Sequence, residues 1–172
     1  DQSHWFIGYN NSKYDDIILN WFLSTDKLLY EVPIQITTEL YQLSQDIIKN
    51  SNSNQFYRAN PTKSLSKLKH KYRSLDLMSV MAFDKLKVGL KQVSVQMKWH
   101  RLQDLPKPFN EPVLEGELDK ILDYNENDVL ITLKLLDTII DEIRLRHSVS
   151  NKYGVDVMSS SRSQIGDKIM SK

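Results

Sequence analysis

Trp5-Phe6-Ile7-Gly8-Tyr9-Asn10-Asn11-Ser12-Lys13-Tyr14-Asp15 sets three local signals in a row. His4 to Tyr9 reads as a short buried strand, and Asn10 to Lys13 as the turn that ends it. From Asp15 onward Ile17, Ile18, Trp21 and Phe22 recur at helical spacing, so Asp15 is expected near a helix N-terminus. There, free backbone N–H groups and the helix dipole favour an ionised carboxylate. A strand, a tight turn and a helix in this order open an α/β unit.

Working outward, a second helix is predicted from about Thr37 to Lys49, with Thr37 as its cap and Leu40, Leu43 and Ile47 on one face. Asn50 to Thr62 has loop chemistry. Tyr72 to Met78 reads as the next strand, with Leu75 and Leu77 flanking Asp76. Leu90, Val93 and Met97 give one stripe of a helix opening near Gly89, and Pro106, Pro108 and Pro112 mark His100 to Gly116 as a loop with fixed bends. A long helix or a broken pair is predicted from Glu117 to about His147. Its expected buried stripe is Leu122, Val129, Leu133, Leu136, Ile140 and Ile143. Gly154 ends that region, and Ser159 to Met170 reads as a further amphipathic helix. Helices between the two strands imply parallel pairing. A parallel sheet needs covered faces and several neighbours, so the rest of the sheet is expected outside these residues.

The chain has 172 residues, 40% of them hydrophobic, which suits one sizeable core. No apolar run has membrane-spanning length, and no secretory pattern is read, so an intracellular, cytoplasmic setting is expected. With no cysteine there are no disulfides and no thiolate metal sites. The net charge of +1 conceals a strong asymmetry. No acid lies between Asp46 and Asp76, where Lys49, Arg58, Lys63, Lys67, Lys69, Lys71 and Arg73 occur. From Asp104 to Glu142 many acids are relieved only by Lys107, Lys120 and Lys134. Such a pairing suits an enzyme that holds a polyanion near carboxylate-bound cations, with Lys67, Lys69 and Lys71 as candidate phosphate contacts. It also suits two oppositely charged solvated faces.

Two carboxylates stand out, each at the end of an ordered element, a usual source of ligands for Mg²⁺ or Mn²⁺. One is Asp15. The other is Asp128 in Tyr124-Asn125-Glu126-Asn127-Asp128, where helical i, i+4 spacing lets phenol and carboxylate share one cleft. Tyr72 and Asp76 repeat that spacing, but on a strand such positions are roughly 13 Å apart. Asp76 is therefore expected beside a site rather than as a metal ligand. His4, His70, His100 and His147 are scattered, which favours surface or packing roles. Trp99 and His100 could stack on a base or pack in a core. Five glycines, none in a phosphate-binding pattern, argue against a glycine-rich cradle.

In order and spacing these pieces resemble the DEDDy branch of the DnaQ-like 3′–5′ exonucleases, on the ribonuclease H-like fold. The likeness is to proofreading domains of family B DNA polymerases and to bacteriophage exonucleases, and covers about residues 5 to 136. Gly8-Tyr9-Asn10 to Tyr14-Asp15 is similar to the family's second motif. Ser74-Leu75-Asp76-Leu77 is similar to the strand that follows, and Gly89-Leu90-Lys91-Gln92-Val93 to the helix opening after it. Tyr124 to Val129, with Thr132 and Leu135 beyond, is similar to the third motif, Tyr-x-x-x-Asp.

The resemblance implies metal-binding roles for Asp15 and Asp128, with their carboxylates about 4 to 8 Å apart around one metal pair. It implies that Tyr124 orients the attacking water and that Asn10 contacts substrate or supports the site. Two Mg²⁺ or Mn²⁺ ions would then assist hydrolysis of the terminal phosphodiester at a single-stranded DNA 3′ end. RNA is a second substrate class. The implied setting is phage replication or proofreading, with a DNA polymerase domain or subunit as partner. The family's first motif, an Asp-x-Glu pair on a strand, appears nowhere in the sequence. Residues 1–150 are accordingly expected to form a partial exonuclease domain, and 151–172 a truncated helical extension. The alternatives are a catalytically silent ribonuclease H-like module that binds nucleic acid or a polymerase, and an unrelated α/β interaction domain.

Overall fold

A computed structural model describes residues 4–24, 33–52, 72–81, 88–108 and 110–172. The chain divides into two compact units, residues 1–76 and 77–172. No described helix is long and apolar enough to cross a membrane.

In the first unit, β1 (Trp5–Gly8) and β2 (Arg73–Asp76) pair in parallel, Trp5 opposite Arg73 and Gly8 opposite Asp76. Both strands therefore deliver their carboxyl ends to the same edge. β1 leaves through Asn10, whose φ of 62° is the left-handed conformation that asparagine tolerates better than most residues. A 3₁₀ turn over Asn11–Lys13 then brings Asp15 to the first position of α1 (Asp15–Ser24), as its spacing predicts. Gly8 has a steric reason to be glycine. A Cβ there would lie 2.7 Å from the Asn11 Cβ and 2.9 Å from its Oδ1.

α2 (Pro33–Asn52) begins four residues before the predicted cap. Proline suits a first turn, where its missing N–H has no partner to lose. Thr37 is thus inside the helix, its hydroxyl donating back to the carbonyls of Pro33 (3.1 Å) and Ile34 (3.0 Å) instead of capping. The helix also runs through Asn50 to Asn52, where a loop is predicted; the rest of that loop lies outside the described residues. Leu43 and Ile47 pack with Ile17 as expected, while Leu40 is half-buried. Tyr14, Ile18 and Trp21 close over this cluster, and the Tyr14 hydroxyl is 2.6 Å from the Ser44 Oγ.

β1 differs from the buried strand expected, since Phe6 and Ile7 are exposed. Among the described residues the sheet has two strands, too few to cover both faces of either. β2 stops at Asp76, earlier than predicted, and the chain turns at once into α3 (Leu77–Met81). A short apolar run such as Leu77-Met78-Ser79-Val80 fits either period, so its sequence does not separate strand from helix.

In the second unit, α4 (Leu90–Gln96) starts after Gly89 as predicted and buries Val93. A single 3₁₀ turn at Glu115–Glu117 leads into α5 (Leu118–Thr138), followed by α6 (Ile140–Tyr153). The long helical stretch is thus a broken pair. The break falls at Ile139 within the β-branched run Thr138-Ile139-Ile140, whose crowded side chains weaken helix continuity.

The predicted stripe of this pair needs correction. Leu122, Val129 and Leu133 are exposed, and Asn127, Ile131 and Leu135 are buried in their place. Apolar residues surround α5, so two stripes compete, and the one that wins begins with a polar side chain that periodicity discounts. Gly154 ends α6 with φ of 61°, its N–H donating to the Ser150 carbonyl. α7 (Arg162–Met170) is opened by Ser161, which exchanges bonds with Gln164 in a capping box.

Candidate functional site

Two buried carboxylates, Asp16 and Asp76, and several neutral donors lie where β1 and β2 end, with Asp15 next to them in the chain. Asp15 is the outermost, with an exposed residue surface. Withdrawal of water from its carboxyl still pushes its pKa above the ordinary carboxylate value. Its own backbone N–H opposes the shift, and the charges of Asp16 and Asp76 add to it. The helix terminus therefore does less to favour ionisation than its position suggests.

Asp16, the second residue of α1, is 4% exposed. Its Oδ2 accepts from the Ser74 hydroxyl at 2.7 Å, and both its oxygens from the Asn11 amide at 3.2 Å. The Tyr72 phenol reaches its Oδ1 at 3.3 Å and its backbone carbonyl at 3.2 Å. Burial, with the Asp16 carboxylate next, raises the Tyr72 pKa strongly. Asp76 is 2% exposed and accepts from the Asn10 backbone N–H at 2.9 Å and the Ser12 hydroxyl at 2.5 Å. Asn10 thus acts on the site through its backbone and its left-handed turn. Asp76 is a buried carboxylate at the end of β2.

The sequence reading gives no site role to Asn11, Asp16, Tyr72 or Ser74, although a signal exists for most of them. Asp16 and Asn20 are i, i+4 on α1 and both buried. Tyr72 and Ser74 are i, i+2 on an extended segment, so they face one side together and meet the same carboxylate.

The second unit holds Tyr124 and Asp128, both half-buried on α5. Burial raises the phenol's pKa first, with the Asp128 carboxylate next and Asp104 contributing. Burial also raises the Asp128 carboxyl, opposed by the hydrogen bond from Tyr124. Phenol and carboxylate therefore lie close enough on α5 to shift each other's titration, as the i, i+4 spacing predicts. The loop after α4 lies against this helix. The Trp99 indole N–H donates to the Asn127 Oδ1 at 2.9 Å, and the Asn127 amide to the Arg101 carbonyl at 3.2 Å. The Arg101 guanidinium pairs with Asp123, which also accepts from Gln103 at 3.1 Å, and Lys91 pairs with Asp104. Lys67, Lys69 and Lys71 lie outside the described residues.

Among the described residues no group of three or more His, Asp or Glu side chains is arranged to hold a metal ion. The oxygen donors of Asp15 and Asp128 nonetheless suit a hard cation. Each carboxyl is held above its ordinary range, chiefly by burial.

A pH signature follows. A raised carboxyl binds its proton more tightly in the folded chain than in the unfolded one. Its stabilising contribution is therefore full below the unfolded value, about pH 4, and is lost as pH rises through the folded value. Asp15→Asn and Asp128→Asn cannot ionise. With chelator present, each variant is expected to match the wild type near pH 3 and to gain on it toward pH 7. Urea midpoints across that range measure the gap, and a variant that loses stability toward neutrality contradicts the assignment. The sequence matches no protein-family model, and neither a curated protein nor a solved structure matches it.

Proposed function

We propose that the chain is part of a metal-dependent 3′–5′ exonuclease domain that degrades single-stranded DNA ends, in the service of phage replication or proofreading. One observation carries most weight. Two parallel strands end together at the turn that delivers Asp15, and the carboxyl ends of parallel strands are where open α/β sheets place their ligands. The proposed ribonuclease H-like fold would need further strands beside β1 and β2.

In this reading Asp15 and Asp128 hold Mg²⁺ or Mn²⁺, and Tyr124 orients the attacking water. When bound, the ions would stabilise the attacking and leaving oxygens of the phosphodiester. Asp16 and Asp76 tie α1 and the turn before it to β2 and so fix where Asp15 stands. Lys67, Lys69 and Lys71 would meet the phosphates, and a DNA polymerase is the proposed partner. The proposed setting is the cytoplasm, that of the host where the gene is phage-borne. The Asp-x-Glu carboxylates would come from residues outside these 172 or from another chain. Their absence from the sequence also favours a second reading, a silent module that binds nucleic acid or a polymerase.

A time course on 3′-labelled single-stranded DNA with Mg²⁺ or Mn²⁺ separates the two. The protein from the full open reading frame is expected to shorten the strand, while the 172-residue chain alone is inactive or nearly so. In the longer protein Asp128→Ala should abolish activity, and Tyr124→Phe should cost about 10²-fold, the lower range for losing a proton-positioning group. Full activity of the shorter chain, or none in the longer one, overturns the proposal.

A further inference from the structure

Trp99 and His100 have no part in the chemistry above, yet the indole is anchored and the imidazole packs against it. The imidazole lies against the indole with 4.5 Å between centroids and 45° between planes. The indole is half-buried and the imidazole exposed. The indole cannot swing freely, because its N–H is held by Asn127, which is 2% exposed and is itself tied to the Arg101 carbonyl. Here the anchor sets the ring plane, and it is the residue immediately before Asp128.

We propose that this pair is a stacking platform for one unpaired base of a single nucleic-acid strand, beside the Tyr124–Asp128 pair. The proposal rests on the nucleic-acid reading and adds a base contact to it. Every base offers a π-face, so stacking retains a strand without reading its sequence. A ring already fixed in place loses little conformational freedom when the base arrives. The surrounding charges do not oppose this as strongly as their number suggests. Asp104 and Asp123 are paired with Lys91 and Arg101, and Lys98, exposed in a left-handed turn (φ 54°), offers a cation to an adjoining phosphate. Glu126 and Asp128 remain as acids near the platform, which favours a neutral base face there over a phosphate.

The test uses the 172-residue chain in chelator, so that no strand is cut. Fluorescence anisotropy compares an oligothymidylate with an abasic strand of equal length and charge. The wild type is expected to prefer the strand with bases by roughly tenfold, the scale of one stacking contact. His100→Ala, a change at an exposed position, should remove most of that preference and leave abasic binding unchanged. Trp99→Phe keeps a ring but drops the N–H anchor, and should reduce the preference partly while removing most of the tryptophan quenching on binding. Equal affinity of the wild type for both strands, binding to neither, or an undiminished preference in His100→Ala overturns the proposal. A chain that prefers bases, from a gene whose full product degrades nothing, sinks the exonuclease reading and leaves the platform standing.

Discussion

Replacing Arg146 by methionine is expected to destabilise residues 77–172 by about 3–5 kcal/mol, enough to unfold a marginal domain. The side chain is 1% exposed and uses every nitrogen of its fork. Nη1 donates to the carbonyls of Val157 (3.1 Å), Met158 (3.4 Å) and Ser160, and Nη2 to that of Val80 at 3.2 Å. Nε meets Glu142 at 3.1 Å. One guanidinium thus joins α3, α6 and the segment that follows Gly154.

Burial pulls the guanidinium pKa below its ordinary value, and the Glu142 carboxylate opposes the shift. A buried ion pair replaced whole by apolar groups is often harmless. Methionine cannot achieve that here, because the carbonyls that it strands belong to the backbone and cannot be substituted away. Arg146→Lys keeps the charge but not the planar fork, so an intermediate loss is expected. Arg144→Met is the control: Arg144 is exposed, pairs with nearby Asp141, and should move stability by less than about 0.5 kcal/mol. Urea denaturation measures all three. An Arg146→Met variant within 1 kcal/mol or so of the wild type would mean that the stranded carbonyls find water, contrary to their burial.

What the sequence disclosed follows the range of the forces involved. β1, the turn, α1, the start of α4 and the stop at Gly154 were legible, because each rests on local chemistry: apolar runs, turn asparagines, helix spacing and a glycine able to take positive φ. The parallel pairing followed from the helical crossover. The buried face of α5 was not legible. Asn127 is buried only because Trp99 and the Arg101 carbonyl, 28 and 26 residues away, satisfy its amide. A hydrophobicity pattern carries no information about such partners. The role of Arg146 is illegible for the same reason, since most of its partners are carbonyls that every residue possesses. Of the site, Asp15 and the Tyr124–Asp128 pair were visible by position and spacing. The network behind Asp15 was not, because an acid in a helical first turn reads as a solvated cap until the strand opposite supplies donors.

That network gives the other large effect. Asp16→Ala is expected to cost about 3 kcal/mol or more, the loss for removing the shared acceptor of several buried donors. The Asn11 amide, Ser74 hydroxyl and Tyr72 phenol all converge on this one carboxylate, and an alanine there returns none of their bonds. Asp16→Asn should cost less. The Asn11 Oδ1 has no hydrogen-bond partner among the described residues, so a new amide at position 16 can donate to it once the Asn11 side chain turns over. Asp15→Ala, one residue away, removes an exposed carboxyl that burial and like charge disfavour, and should leave stability within about 0.5 kcal/mol of the wild type. Chemical denaturation in chelator ranks the three. If Asp15→Ala proves as damaging as Asp16→Ala, the division of labour fails. The expected ranking would instead make Asp16 the group that holds the end of the strand pair together, with Asp15 contributing little to that hold.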